Sequence, residues 1–174
     1  VRTKIADHIN AAQREEIIFT SGTTDGINLV AGTWGRANLN EEDTIVLSRL
    51  EHHSNIVPWQ ILATEKRFKI EVIELNEDGS LDESSLNEKL ALNPKMVAIS
   101  HVSNTLGTVN DVKRITALAH SVGATVIVDG SQAVPHKTIN VTDIDCDFYV
   151  ASGHKMYGPS GIGFLYGKHS LLEQ

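Results

Sequence analysis

Lys155 stands in Ser152-Gly153-His154-Lys155, directly after the apolar run Phe148 to Ala151. A lysine among small residues at the mouth of a predicted strand can offer its amine to a ligand. That amine does chemistry only when neutral, in a desolvated pocket or in a Schiff base with a carbonyl compound. A solvated loop lysine is the plain alternative, since most lysines are exposed. Four other polar stretches share this setting. Ser21-Gly22-Thr23-Thr24-Asp25-Gly26 opens a predicted helix whose first N–H groups and two hydroxyls could cradle an anion. A capped helix that binds nothing uses the same residue types. Asp129-Gly130-Ser131-Gln132 carries a carboxylate to the end of the β-branched run Thr125 to Val128, where a helix cap is the competing role. Ser103-Asn104 and Gln132 offer polar contacts that turn chemistry could equally absorb. In Glu51-His52-His53-Ser54-Asn55, adjacent histidines on an extended segment point opposite ways, so a tetrahedral metal site would need ligands the spacing does not supply. No metal is expected.

The elements that must position these residues follow from the pattern of apolar runs. Strands are predicted at 16–20, 44–48, 69–75, 96–100, 125–128, 148–151 and 162–166. Helical spacing predicts helices over 4–14, 27–31 after the opening turn 21–26, about 58–65, 82–90, 111–121, and starting near Lys168. Asn76-Glu77-Asp78-Gly79 reads as a turn. Strands alternating with helices imply a mostly parallel α/β sheet, with ligands beyond the carboxyl ends of its strands. Thr23, His52, Asn104, Asp129 and Lys155 all fall at such ends.

The chain of 174 residues fits one domain able to bury roughly 70% of its unfolded surface. No repeat, low-complexity tract or interdomain linker divides it. A net charge of −7 argues against a nucleic-acid or anionic-membrane binder, and no apolar run approaches the ~20 residues of a membrane span. The single cysteine, Cys146, excludes an internal disulfide and fits a reducing compartment. Flanked by Asp145 and Asp147, its thiol is expected to resist ionisation and to be structural. Val1, in place of Met, and an opening inside a predicted helix suggest a processed or truncated product.

Taken in order, Thr23-Thr24, Glu51-His52-His53, Ser103-Asn104, Asp129-Gly130-Ser131-Gln132 and Ser152-Gly153-His154-Lys155 resemble the pyridoxal-phosphate cysteine desulfurases of the class V aminotransferase group. The likeness covers nearly the whole chain. The run Gly153-His154-Lys155-Met156-Tyr157-Gly158-Pro159-Ser160-Gly161-Ile162-Gly163 is most similar to the SufS-type, or group II, branch, which includes selenocysteine lyases. The resemblance implies pyridoxal 5'-phosphate as cofactor and residues 1–174 as the large cofactor-binding domain of a fold-type I transferase. Its fold would be α/β, with a mostly parallel seven-stranded sheet, helices on both faces and an antiparallel last strand. By the same resemblance Lys155 would carry the cofactor and shuttle a substrate proton. Asp129 would face the pyridine nitrogen and favour its protonated form. His52 would stack on the ring and assist proton transfer, while His53 packs locally. Gln132 and Asn104 would bond the ring oxygen and the substrate region. Thr23, Thr24, Ser152 and His154 would form the phosphate cup.

The family's sulfur chemistry also needs a loop cysteine beyond the lysine and an arginine to hold the substrate carboxylate, and both are expected beyond Gln174. The isolated chain is therefore expected to be inactive. Ser21 stands where many relatives carry a basic residue. The function implied is transfer of sulfur from L-cysteine to an enzyme cysteine persulfide for iron-sulfur cluster assembly, in a cytoplasmic homodimer that passes sulfur to an acceptor protein. Selenocysteine lysis, transamination or epimerisation on the same cofactor is a second class. A non-catalytic cofactor- or metal-binding domain is a third.

Overall fold

The structure, a computed structural model, describes residues 1–173, and Gln174 at the end of the expected domain lies outside them. Seven runs rich in β-branched and aromatic residues form one sheet. They are β1 (Ile17–Thr20), β2 (Thr44–Ser48), β3 (Lys69–Ile73), β4 (Met96–Ser100), β5 (Thr125–Asp129), β6 (Phe148–Ser152) and β7 (Gly163–Gly167). Their spatial order is β1-β7-β6-β5-β4-β2-β3. Strands β3, β2, β4, β5 and β6 are parallel, and β7 runs antiparallel to both β6 and β1. The mostly parallel sheet with an antiparallel last strand is the one the family resemblance implied.

The helices are α1 (Arg2–His8), α2 (Thr23–Val30), α3 (Arg36–Asn38), α4 (Val57–Lys66), α5 (Glu83–Leu90), α6 (Val112–Ser121), α7 (Val141–Ile144) and α8 (His169–Leu172). A π-turn over Ala31–Gly35 joins α2 to α3. Side chains alternate across the sheet with the period of two that a strand dictates. Val46, Val97, Ile99, Val126, Val128 and Tyr149 pack on one face with Leu86 and Leu90 of α5, Ile115 and Ala119 of α6 and Val141 of α7. Ile45, Leu47, Ala98, Ile127 and Val150 pack on the other with Ile27 and Val30 of α2, Trp34, and Trp59 and Leu62 of α4. Large apolar side chains such as Trp59, which is fully buried, each stabilise the fold by roughly 1.5–3 kcal/mol.

Polar side chains cap three of these helices. Asp82 accepts the N–H groups of Ser84 and Ser85, Asp111 that of Arg114, and Asn140 that of Asp143. The helix predicted over 4–14 ends earlier, at His8. There Asn10 takes a left-handed conformation, φ 54°, and the Ala11 N–H closes the turn on the Ala6 carbonyl. A capping turn over Arg14–Glu16 then leads into β1, with the Gln13 N–H donated to Glu16. The four-residue α7 has no counterpart in the sequence prediction, because one turn carries too little periodicity to read.

Connectivity reverses between β2 and β4. From β2 the chain passes outward through α4 to β3, then returns across through α5 to β4 and builds the other half of the sheet. Neighbouring strands whose connections leave in opposite directions open a crevice at their carboxyl ends.

Candidate active site

All nine residues singled out in the sequence line one cavity of about 250 Å³ beyond the carboxyl ends of the strands. Thr23 and Thr24 come from the β1–α2 turn, His52 from the exit of β2, and Asn104 from that of β4. Asp129 and Gln132 come from β5 and its exit, Ser152 ends β6, and His154 and Lys155 follow it. Ser54, Ser100, Val102 and Ser131 complete the wall. Ser100 was not singled out because a serine closing a buried strand is an ordinary residue. Ser103 falls outside the lining and instead receives the N–H groups of Thr105 and Leu106.

Three hydroxyls converge at the start of α2. Thr23 Oγ1 stands 2.6 Å from Ser131 Oγ and 2.8 Å from Ser152 Oγ, and the Thr23 N–H donates to Ser152 Oγ at 2.9 Å. The first turn of a helix has no internal acceptor for its N–H groups, so this corner concentrates donors and the positive end of the helix dipole. Close backbone approach makes it possible. A Cβ on Gly163 would lie 2.5 Å from the Ala151 carbonyl and 2.7 Å from Gly22 Cα, and Gly22 itself has φ 155°.

Asp129 is buried at the end of β5, and its Oδ1 accepts the Ser131 N–H at 2.9 Å. The other carboxylate oxygen carries no protein hydrogen bond among the described residues. Lys155 lies on the single turn Gly153–Met156, half-buried, with no ion pair or hydrogen bond among the described residues. His52 is exposed on the cavity side. Its Nδ1 accepts the Ser54 N–H at 3.1 Å and lies 2.8 Å from Ser54 Oγ, which assigns the proton of the neutral ring to Nε2. His53, with its ring edge-on to that of His52 at 6.2 Å, does not line the cavity.

Two buried groups away from the cavity wall are held neutral. His101 Nδ1 lies 3.1 Å from the Tyr149 hydroxyl, and burial, aided by the Lys137 charge, pushes the imidazole down to about 4. Cys146 is fully buried in the core, and its thiol is pushed far above the ordinary range. Burial is the larger cause and the Asp147 charge the smaller, so the flanking aspartates named from the sequence are secondary. No group of three or more His, Cys, Asp or Glu that could hold a metal occurs among the described residues. Nor is any helix among them long and apolar enough to cross a membrane.

The aminotransferase class-V family model matches residues 1–174. The chain belongs to that family. It is 53% identical over its whole length to a cysteine desulfurase of Serratia proteamaculans (strain 568), of which it spans 43%. With a cysteine desulfurase of Enterobacter sp. (strain 638) the identity is 52%, over 99% of this chain and 43% of the relative. Among solved structures it superposes on the cysteine desulfurase CsdA of Escherichia coli, S-sulfonic acid form, with TM-score 0.95 and 41% identity, over 99% of this chain and 43% of that one. The apo cysteine desulfurase of Thermococcus onnurineus NA1 gives TM-score 0.93 and 40% identity, over 99% of this chain and 42% of that one. The chain thus spans less than half the length of the relatives it matches.

Proposed function

We propose that the chain forms the cofactor-binding large domain of a pyridoxal-phosphate-dependent cysteine desulfurase of the group II branch. The observation that carries this reading is one cavity bordered by a lysine amine, a buried carboxylate and a hydroxyl cluster at a helix start. That donor set fits pyridoxal 5'-phosphate. Three hydroxyls and the α2 N-terminus suit a phosphate. A buried carboxylate suits a ring nitrogen, and a lysine amine suits an aldehyde. Similarity to cysteine desulfurases supports L-cysteine as the substrate.

Bound there, the cofactor would supply an electron sink for the substrate. The chain's residues would do the rest. Lys155 would hold the cofactor and, once displaced, take and return the proton at the substrate Cα. Asp129 would keep the ring nitrogen protonated, while Thr23, Thr24, Ser152 and His154 would anchor the phosphate. His52 would contact the ring and offer its Nε2–H as a hydrogen-bond donor there, giving up a proton only from its doubly protonated form. Asn104 and Gln132 would orient the ring oxygen and substrate. Cys146 cannot accept sulfur, because it is buried and its thiol resists ionisation.

The same proposal includes a homodimeric, cytoplasmic whole protein that passes sulfur to an acceptor protein for iron-sulfur cluster assembly. The test is release of alanine from L-cysteine, and of sulfide once a thiol reductant is added, by the whole protein loaded with cofactor, with selenocysteine in a parallel arm. The reading requires turnover on cysteine that Asp129→Ala lowers strongly while some cofactor is retained. Cofactor loading without turnover of cysteine would assign the cavity to other chemistry.

A further inference from the structure

The carboxylate of Glu51 lies beneath the cavity, buried, at the crevice between β2 and β4. The two strands pair through Ile45↔Met96 and Val46↔Val97. Toward the carboxyl ends, where their connections diverge, Glu51 spans the gap. Its Oε1 accepts the Ser48 hydroxyl at 2.5 Å and the Ser100 N–H at 3.0 Å. Its Oε2 accepts the Ser100 hydroxyl at 2.6 Å and Asn55 Nδ2 at 2.7 Å. Four donors occupy the carboxylate's four lone-pair positions. Asn55 in turn accepts Trp59 Nε1 at 3.2 Å, which ties the network to α4.

The short turn His53–Asn55 is thereby pinned at Asn55, and its Ser54 N–H is the group that fixes His52 Nδ1. We propose that Glu51 is a positioning residue that, by clamping Ser100 and Asn55 across the β2–β4 crevice, sets the ring orientation and tautomer of His52. The ionised carboxylate, present above about pH 7, has acceptors alone and takes all four donors, whereas the protonated form turns one oxygen into a donor. Gln would offer one oxygen and place an NH₂ against Asn55 Nδ2 or a serine hydroxyl. Burial opposes the charge and pushes this carboxyl up to about 7 despite the donors. Such a group is costly to keep unless the geometry uses it. The proposal rests on the reading of His52 as a group that acts at the cavity, but its test needs no cofactor.

The measurement is the imidazole ¹H–¹⁵N spectrum of the whole protein labelled with [¹⁵N]histidine, with the His52 signal assigned by His52→Gln. In the parent, His52 should show a single Nε2–H tautomer. Glu51→Gln and Glu51→Ala should average the tautomers, and Ser100→Ala should shift them in the same direction by less. Ser100→Ala removes one hydroxyl and leaves the backbone bond, so it keeps the test open where the Glu51 variants do not fold. An unchanged His52 signal in a folded Glu51 variant overturns the proposal, as does an unchanged signal in Ser100→Ala when neither Glu51 variant folds. A parent His52 that already averages both tautomers overturns it too. Failure of cysteine turnover with the His52 response intact would sink the functional reading and leave this one standing.

Discussion

Thr23 and Ser131 lie 108 residues apart in sequence, yet their hydroxyl oxygens stand 2.6 Å from each other. The contact joins the exit of β1 to the exit of β5, with Ser152 from β6 as the third member. Three strands therefore contribute to one anion-sized corner, and its donors are fixed before any ligand arrives.

Thr23→Val keeps the shape of the side chain but removes the hydroxyl that holds Ser131 and Ser152 together. Cofactor affinity should fall by roughly 10- to 100-fold, in line with about 1.5–3 kcal/mol for hydrogen bonds to a charged group. Fluorescence titration of the apo-protein with pyridoxal phosphate reads this directly. Unaltered affinity would remove the cup from the phosphate's site.

Gly130→Ala should destabilise the protein severely. An added Cβ would lie 2.0 Å from the ring of Tyr149, whose side chain is fully buried and bonded to His101. Overpacking of this kind costs typically ~1–3 kcal/mol, and a ring with no room to move puts the cost at the upper end. Urea unfolding measures it, and a change below about 0.5 kcal/mol would mean that the ring is free to yield.

Glu51 should make stability fall as pH rises. In the unfolded chain its carboxyl ionises near its ordinary 4.5, and in the folded protein only near 7. Between those values the folded form keeps a proton that the unfolded form has lost, so folding is favoured on the acid side. The shift corresponds to roughly 3 kcal/mol, lost between about pH 4.5 and 7. His101 works in the opposite sense: its depressed value withdraws stability as pH falls from about 6.5 toward 4. Comparing urea unfolding of the parent with Glu51→Gln at pH 5 and 7.5 cancels His101, which both proteins carry. The parent should lose more stability than the variant over that range. Equal losses would show that Glu51 ionises alike in both states.

Much of this architecture was legible because local chemistry and global fold agree. The β-branched run Thr125 to Val128 could be little other than a buried strand, and Asp82 and Asp111 announce helix starts in the residue types themselves. That the candidate side chains gather at strand ends was legible for the same reason, since a parallel sheet places its polar residues there. The antiparallel last strand was supplied by the family resemblance, and the strand order came from neither it nor periodicity, which carries no information about which strands are neighbours. Glu51 was visible only as a motif letter. Nothing local marks a glutamate as buried, and its four donors come from residues up to 49 positions away. The early end of α1 turned on Asn10 adopting a left-handed conformation, a tolerance asparagine has without signalling when it is used.

The central claim is that Lys155 carries the cofactor. Borohydride reduction of the cofactor-loaded whole protein, followed by proteolysis and mass mapping, should place the pyridoxyl group on the peptide containing Lys155, and Lys155→Ala should leave no labelled lysine. A pyridoxyl group on any other lysine would contradict the account.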